Sequence, residues 1–161
     1  MNSAMLTVRL TVALGTVCAL VAAGCSPQAS SDRKQEIVTL VEEAAALVSS
    51  EGDAAFAKLQ DPNGKWRKGD DYVFISNMDG TILFHPVSPE MVGKNHLELR
   101  DDNGKAFLRE MLEVVKKSES GWVEYMWPKP GSTQPVRKAS YVRGAKIGSG
   151  SVIVGAGMYP E

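Results

Sequence analysis

Apolar positions recur along this chain with two periods, and the change from one to the other outlines the fold. Between Asp32 and Ser49 they fall at Ile37, Leu40, Val41, Ala44, Leu47 and Val48, one stripe of a 3.6-residue helix. Asp32 and Gln35 have the spacing of a capping pair at its start. Gly52 interrupts the helix, and Asp53–Leu59 keeps Phe56 and Leu59 on one side of a shorter one. Asp61-Pro-Asn-Gly64 is a turn by composition. From Asp71 the period becomes two: Tyr72–Asn77 reads as a strand, Met78-Asp-Gly80 as a tight turn and Thr81–His85 as the returning strand. Pro86 and Pro89 end that pairing, and Met91–Leu99 shows no period. Helical spacing returns at Phe107, Leu108, Met111, Leu112 and Val115. Three further strands follow: Trp122–Trp127, Arg137–Arg143 and Ser151–Met158. This order predicts an α+β domain, an antiparallel sheet of about five strands with a long N-terminal helix and further helices packed on it.

The first 24 residues obey different rules. Arg9 is their only charge, and Leu10–Ala23 is an apolar, small-residue run whose length fits a signal peptide better than a membrane span. The run ends in Leu20-Val-Ala-Ala-Gly-Cys25, which resembles a bacterial lipobox, with Ala22 standing where Leu is usual. The division expected is a lipoprotein signal peptide over 1–24, a polar tether over 25–31 with lipid on Cys25, and one domain over 32–161. Cleavage at an Ala-x-Ala-like site, giving a soluble periplasmic protein, is the alternative. Ser26 after the cysteine favours, by resemblance to other lipoproteins, the inner leaflet of the outer membrane. Cys18 and Cys25 are the only cysteines, so no disulfide or catalytic thiol is available beyond residue 25. With 18 basic and 19 acidic residues and no basic block, nucleic acid is excluded as a partner.

The densest chemistry lies in Gly121–Gly131, where Trp122, Tyr125 and Trp127 precede a Pro-Lys-Pro-Gly turn. Such rings either fill a core or wall a small-molecule pocket. Strand alternation sets Val123, Tyr125 and Trp127 against Trp122, Glu124 and Met126, and Lys138, Ser140 and Val142 against Ala139, Tyr141 and Arg143. Tyr125 and Trp127 are the preferred wall, with Trp122 as packing. Phe74, His85, Lys138 and Tyr141 complete the candidate ligand set, although Lys138 and Tyr141 share a pocket only if a bulge intervenes. Tyr72 competes with Phe74 for the same role, His96 is a weaker candidate, and Met91 and Val92 are candidates for a lid. Lys129, between prolines, reads as a solvated turn residue. Asp101, Asn103 and Glu110 have part of the spacing of a calcium loop, but its first ligand would be Leu99, so no metal is expected. Neither a nucleophile elbow nor a phosphate loop is present, so neither an enzyme nor a cofactor is expected. The glycines at 148, 150, 155 and 157 instead let the closing strand approach a neighbour closely.

Asp71-Tyr-Val-Phe-Ile, Asp79-Gly, His85-Pro86, Gly93-Lys-Asn95, Asp102-Asn-Gly-Lys105, Gly121-Trp-Val-Glu-Tyr, Trp127-Pro-Lys-Pro-Gly131, Lys138-Ala-Ser-Tyr-Val142 and Gly155-Ala-Gly-Met-Tyr159, in this order, resemble a single Cache domain. That family is a PAS-like extracytoplasmic sensor module. The resemblance implies that a small ligand, often a short carboxylate or an amino acid, binds between sheet and loops. It implies a chemoreceptor or sensor kinase as the signalling context. The chain ends at Glu161 without a second span, so the expectation is a lipid-anchored sensor acting through a partner kinase or chemoreceptor. The alternative is an accessory lipoprotein that binds such an ectodomain without a ligand. Asp32–Ser49 is the expected surface for a homodimer.

Overall fold

The computed structural model describes residues 27–160. The expected leader, Cys25 and Ser26 lie outside them. Helix α1 runs Pro27–Glu51, followed by a 3-10 turn and a short α2, Ala55–Leu59. The strands are β1 (Arg67–Lys68), β2 (Asp71–Asn77), β3 (Ile82–Phe84), β4 (Ser120–Pro128), β5 (Pro135–Ile147) and β6 (Gly150–Met158), with α3 (Phe107–Ser118) before β4. They form one six-stranded antiparallel sheet in the order β1-β2-β6-β5-β4, with β3 paired to β2 opposite β6, further along the edge that β1 begins. The α+β, Cache-like architecture is as expected, with one strand more than foreseen.

Two boundaries differ from expectation. Helix α1 begins at Pro27, so residues 27–31 of the expected tether form its first turn. Proline is well suited to that place, because its missing N–H has no helical partner to lose. Asp32 therefore lies inside the helix, where its carboxylate accepts a bond from Gln28 at 3.0 Å instead of capping. The other difference is β5, which extends well beyond Arg137–Arg143 because both its edges are paired, by β4 and by β6.

The sheet separates two cores. On one face α1 lays Ile37, Val41, Ala44 and Val48 on Val73, Ile75, Val152, Val154 and Ala156. On the other, α3 lays Phe107, Leu108, Met111, Leu112 and Val115 on Val123, Val142 and Ile153. All five apolar positions read from the α3 spacing are buried. Glu119 ends α3 in the left-handed region at φ 62, which turns the chain straight into β4. Its carbonyl accepts a bond from Gly144 of β5 at 2.9 Å, an anchor that offsets the backbone cost of that conformation.

The segment between β3 and α3 is ordered by polar contacts to its neighbours. The backbone N–H of His96 donates to Gly80 at 2.9 Å, and the Asn95 amide donates to the Asp79 carbonyl at 2.8 Å. Asp101 accepts from Asn103 and Lys105 within its own turn and from the Met126 amide of β4 at 2.8 Å. Its carboxylate is thus committed to backbone amides. These contacts hold the loop over the α3 face of the sheet.

Candidate ligand-binding site

Beneath that loop, Tyr72, Phe74, Ile82, His85, Met91, His96, Phe107, Leu108, Met111, Tyr125 and Trp127 enclose a small cavity. Its free space is about 20 Å³ for the centre of a water molecule, room for about one water. Tyr72 and Phe74 project from the same face of β2, and Tyr125 and Trp127 from the same face of β4. Phe107, at the start of α3, stacks on Tyr125 with centroids 4.5 Å apart and meets Trp127 edge-on at 5.3 Å.

Cross-strand register brings the polar groups to this aromatic floor. Lys138 of β5 pairs with Tyr125 of β4, and Ser140 with Val123. The Tyr125 and Ser140 hydroxyls are 3.1 Å apart and fully enclosed. Lys138 has no exposed surface, and its Nζ has no hydrogen-bond partner among the described residues. Nζ lies 3.9 Å from the ring centroid of Tyr72 and 5.2 Å from that of Tyr159. Space for this arrangement comes from β6. A Cβ on Gly155 would overlap the Phe74 ring, and one on Gly157 would lie 2.8 Å from Lys138 Cε. The close approach expected of these two glycines therefore has a specific use.

His85 is buried and accepts the Ser88 amide at Nδ1, 2.9 Å away. An acceptor Nδ1 leaves the ring proton on Nε2, which is then a donor. Burial, together with Lys138 and His96, holds the imidazole down at about 4. Burial likewise holds the Lys138 amine down at about 7, outweighing the opposing pull of Asp71 and Asp70. Burial pushes the Tyr72 phenol up to about 12, against hydrogen bonding with Trp127 and Tyr159. The phenols of Tyr125 and Tyr159 are raised as well, chiefly by burial. At neutral pH the site therefore presents protonated hydroxyls and a neutral imidazole N–H, with a lysine beside them.

Four of the six candidate ligand residues, Phe74, His85, Tyr125 and Trp127, line this cavity, and Lys138 stands behind its wall with Nζ against the Tyr72 ring. Tyr141 does neither. No bulge interrupts β4–β5 pairing, so parity sends Tyr141 to the α1 face, where its hydroxyl donates to Glu42 at 3.3 Å and its ring meets Trp122. Tyr72 and Phe74 both line the cavity, and Met91 does too, but Val92 is exposed. His96 lines the cavity with a buried Nε2 that lacks a partner. Lys129 is not merely solvated: it pairs with Asp70 at 3.2 Å and lies 5.5 Å from the Tyr159 ring centroid. Phe107 and Met111, whose helical spacing reads as core, also line the cavity, and Ser140 and Tyr159 stand beside Tyr125 and Lys138. A wider groove of about 630 Å³ lies between α1, α3 and the β5–β6 end, but it is open, and two of the charges that line it, Glu42 and Arg143, pair with each other.

Comparison with known proteins places this geometry. The family model for the Cache domain matches residues 28–161. A methyl-accepting chemotaxis protein of Pseudomonas putida, McpP, is 34% identical over 92 residues, 57% of this chain and 16% of that protein. A sensor histidine kinase of Rhizobium johnstonii, MctS, is 31% identical over 90 residues, 56% of this chain and 19% of that protein. The chain thus matches less than a fifth of the length of either relative. Among solved structures, a periplasmic sensor domain of a chemotaxis protein superposes with a TM-score of 0.71 at 29% identity, covering 82% of this chain and 98% of that one. A Cache chemosensory domain, described for its carboxylic acid recognition, superposes at 0.69 with 25% identity, covering 83% and 97%. The buried site between sheet, α3 and loop is therefore set in a known sensor scaffold, and the chain belongs to the Cache domain family.

Proposed function

We propose that this chain is an extracytoplasmic ligand-sensing domain whose α3-face cavity receives a short carboxylate. The observation that carries the reading is Lys138: a lysine with no exposure and, among the described residues, no hydrogen-bond partner for its amine, which lies against the cavity-lining Tyr72 ring. Burying such a group unpaired is costly unless a ligand supplies the missing acceptor. A carboxylate is acceptor-only and complements Lys138, His85 Nε2 and the Tyr72 hydroxyl, whereas the Tyr159 hydroxyl is committed to the Pro128 carbonyl and that of Tyr125 to Ser140. The cavity as it stands has room for about one water, so a short acid enters only if Met91 and the loop carrying His96 move outward, and larger metabolites need more movement still. The solved neighbour described for carboxylic acid recognition supports the same class.

The wider setting is part of this proposal. The leader ending at Cys25 would export the chain and lipidate it at that residue, and the sensed ligand would be reported through a chemoreceptor or sensor kinase. Mass spectrometry of the mature N-terminus tests the lipid directly: an unmodified residue there, or cleavage elsewhere, removes that element. The ligand reading is tested by thermal unfolding of the full chain with acetate, propionate, pyruvate and a set of amino acids. A short carboxylate is expected to raise the unfolding temperature in a concentration-dependent, saturable manner. If no carboxylate does so at any pH from 6 to 8, the reading fails.

A further inference from the structure

Lys138 poses a question that ligand class alone does not answer, namely what balances its charge before a ligand arrives. Among the described residues its surroundings supply no unpaired counter-ion. From β2, Asp71 is the nearest acid in effect, but its carboxylate is bonded to Arg33 of α1 at 2.8 Å. From the β1–β2 turn, Asp70 is paired with Lys129 of the β4–β5 turn. The remaining titratable neighbours are the Tyr72, Tyr125 and Tyr159 phenols, raised and so neutral at physiological pH, and the two imidazoles, His85 and His96. Neither imidazole can neutralise a cation, and His85 is itself disfavoured as one by Lys138. Two ring faces near Nζ recover only part of the hydration that an ammonium loses on full burial.

Resting on the carboxylate reading above, we propose that Lys138 is an uncharged amine in the unliganded domain, and that a carboxylate binds together with one proton taken up on Nζ. The balance is simple. Solvent supplies the proton, Nζ changes from NH₂ to NH₃⁺, and the carboxylate enters as the anion that this cation lacks. The domain then responds to the product of carboxylate and proton concentrations, which is to say to the undissociated acid. The depressed affinity of the amine for protons, set by burial, agrees with this arrangement. The consequence is a pH dependence that a permanently charged site lacks. Above about pH 7, affinity falls about tenfold for each unit of pH until the liganded lysine itself loses its proton.

Calorimetric titration of the full chain with sodium propionate and with sodium acetate, at pH 8 in phosphate and in Tris, tests this. The two buffers differ in ionisation heat, so proton uptake shows as a difference in apparent binding enthalpy. The expected result is uptake of close to one proton, with Kd about tenfold weaker at pH 8.5 than at pH 7.5. Saturable binding whose heat is independent of buffer, and whose Kd is flat over that range, overturns the proposal while leaving the carboxylate reading intact. No binding of either acid at any pH overturns both. Lys138→Met assigns the proton: buffer dependence that survives in a folded K138M overturns the role of Lys138. If that variant does not fold, the Lys138 Cε resonance of the unmodified chain decides instead. A titration midpoint below 8 without ligand, moving upward by at least one unit with propionate, supports the proposal, and a midpoint above 9 without ligand overturns it.

Discussion

On the α1 face of the sheet, apolar side chains interlock, and the charged groups that reach it are paired, Asp71 with Arg33 and Arg143 with Glu42, which also accepts from Tyr141. On the α3 face, aromatic rings surround a lysine, two imidazoles and a pair of hydroxyls, and Lys138 Nζ, His96 Nε2 and Ser76 Oγ are buried without partners among the described residues. The same strands serve both faces, residue by alternate residue. One face is closed by packing and by paired charges. The other accepts unsatisfied polar groups, a cost that is understandable where a ligand completes them.

Substitutions on the two faces should therefore separate stability from binding. The largest loss of stability is expected for Ile37→Ala on the α1 face, about 2–5 kcal/mol by denaturant unfolding, with carboxylate affinity unchanged. A loss of affinity in that variant while it is folded would blur the distinction between the faces. Next is the acid sensitivity conferred by His85. Its folded-state pKa lies below its ordinary value, so between about 6.5 and 4 the unfolded chain binds the extra proton. Stability is then lost as pH falls through that window, by on the order of 3 kcal/mol in total. The slope of unfolding free energy against pH measures this, and His85→Gln should flatten it. A smaller effect is expected for Tyr125→Phe, about 1 kcal/mol for the enclosed bond to Ser140, together with weaker carboxylate binding. Tyr141→Phe, on the α1 face, should cost less than about 0.5 kcal/mol and leave binding untouched. A binding defect there would contradict the parity argument.

Sequence patterns revealed these faces unequally. The α3 helix was legible because five large apolar residues repeat at helical spacing and no other element competes for them. The Asp79-Gly80 turn fixed the β2–β3 hairpin in the same way, with Gly80 at φ 93. The two-residue β1 was not legible, since Arg67 and Lys68 are polar and too few to show a period. The start of α1 was masked by a Ser-rich composition that reads as a tether, although Pro27 suits a first helical turn. Within the site, alternation placed Lys138 and Tyr141 on opposite faces. The cross-strand register that seats Lys138 opposite Tyr125 was beyond reach, because it depends on where the Pro-Lys-Pro-Gly turn closes. Tyr159 and Phe107 approach the site through tertiary packing, for which local spacing carries no signal. His96 is a third case: its position depends on how its loop docks against the β2–β3 hairpin, through backbone contacts that sequence alone does not specify.

The role of Lys138 is the point on which the contrast between faces depends. Thermal unfolding of the unmodified chain and of Lys138→Met, each with and without saturating propionate at pH 7, tests it most directly. The account predicts that K138M is at least as stable as the unmodified chain, because methionine fills the space without an unpaired amine, and that only the unmodified chain gains stability from propionate. An equal gain in both proteins, or a K138M that loses stability like a core variant while the unmodified chain ignores propionate, would contradict it.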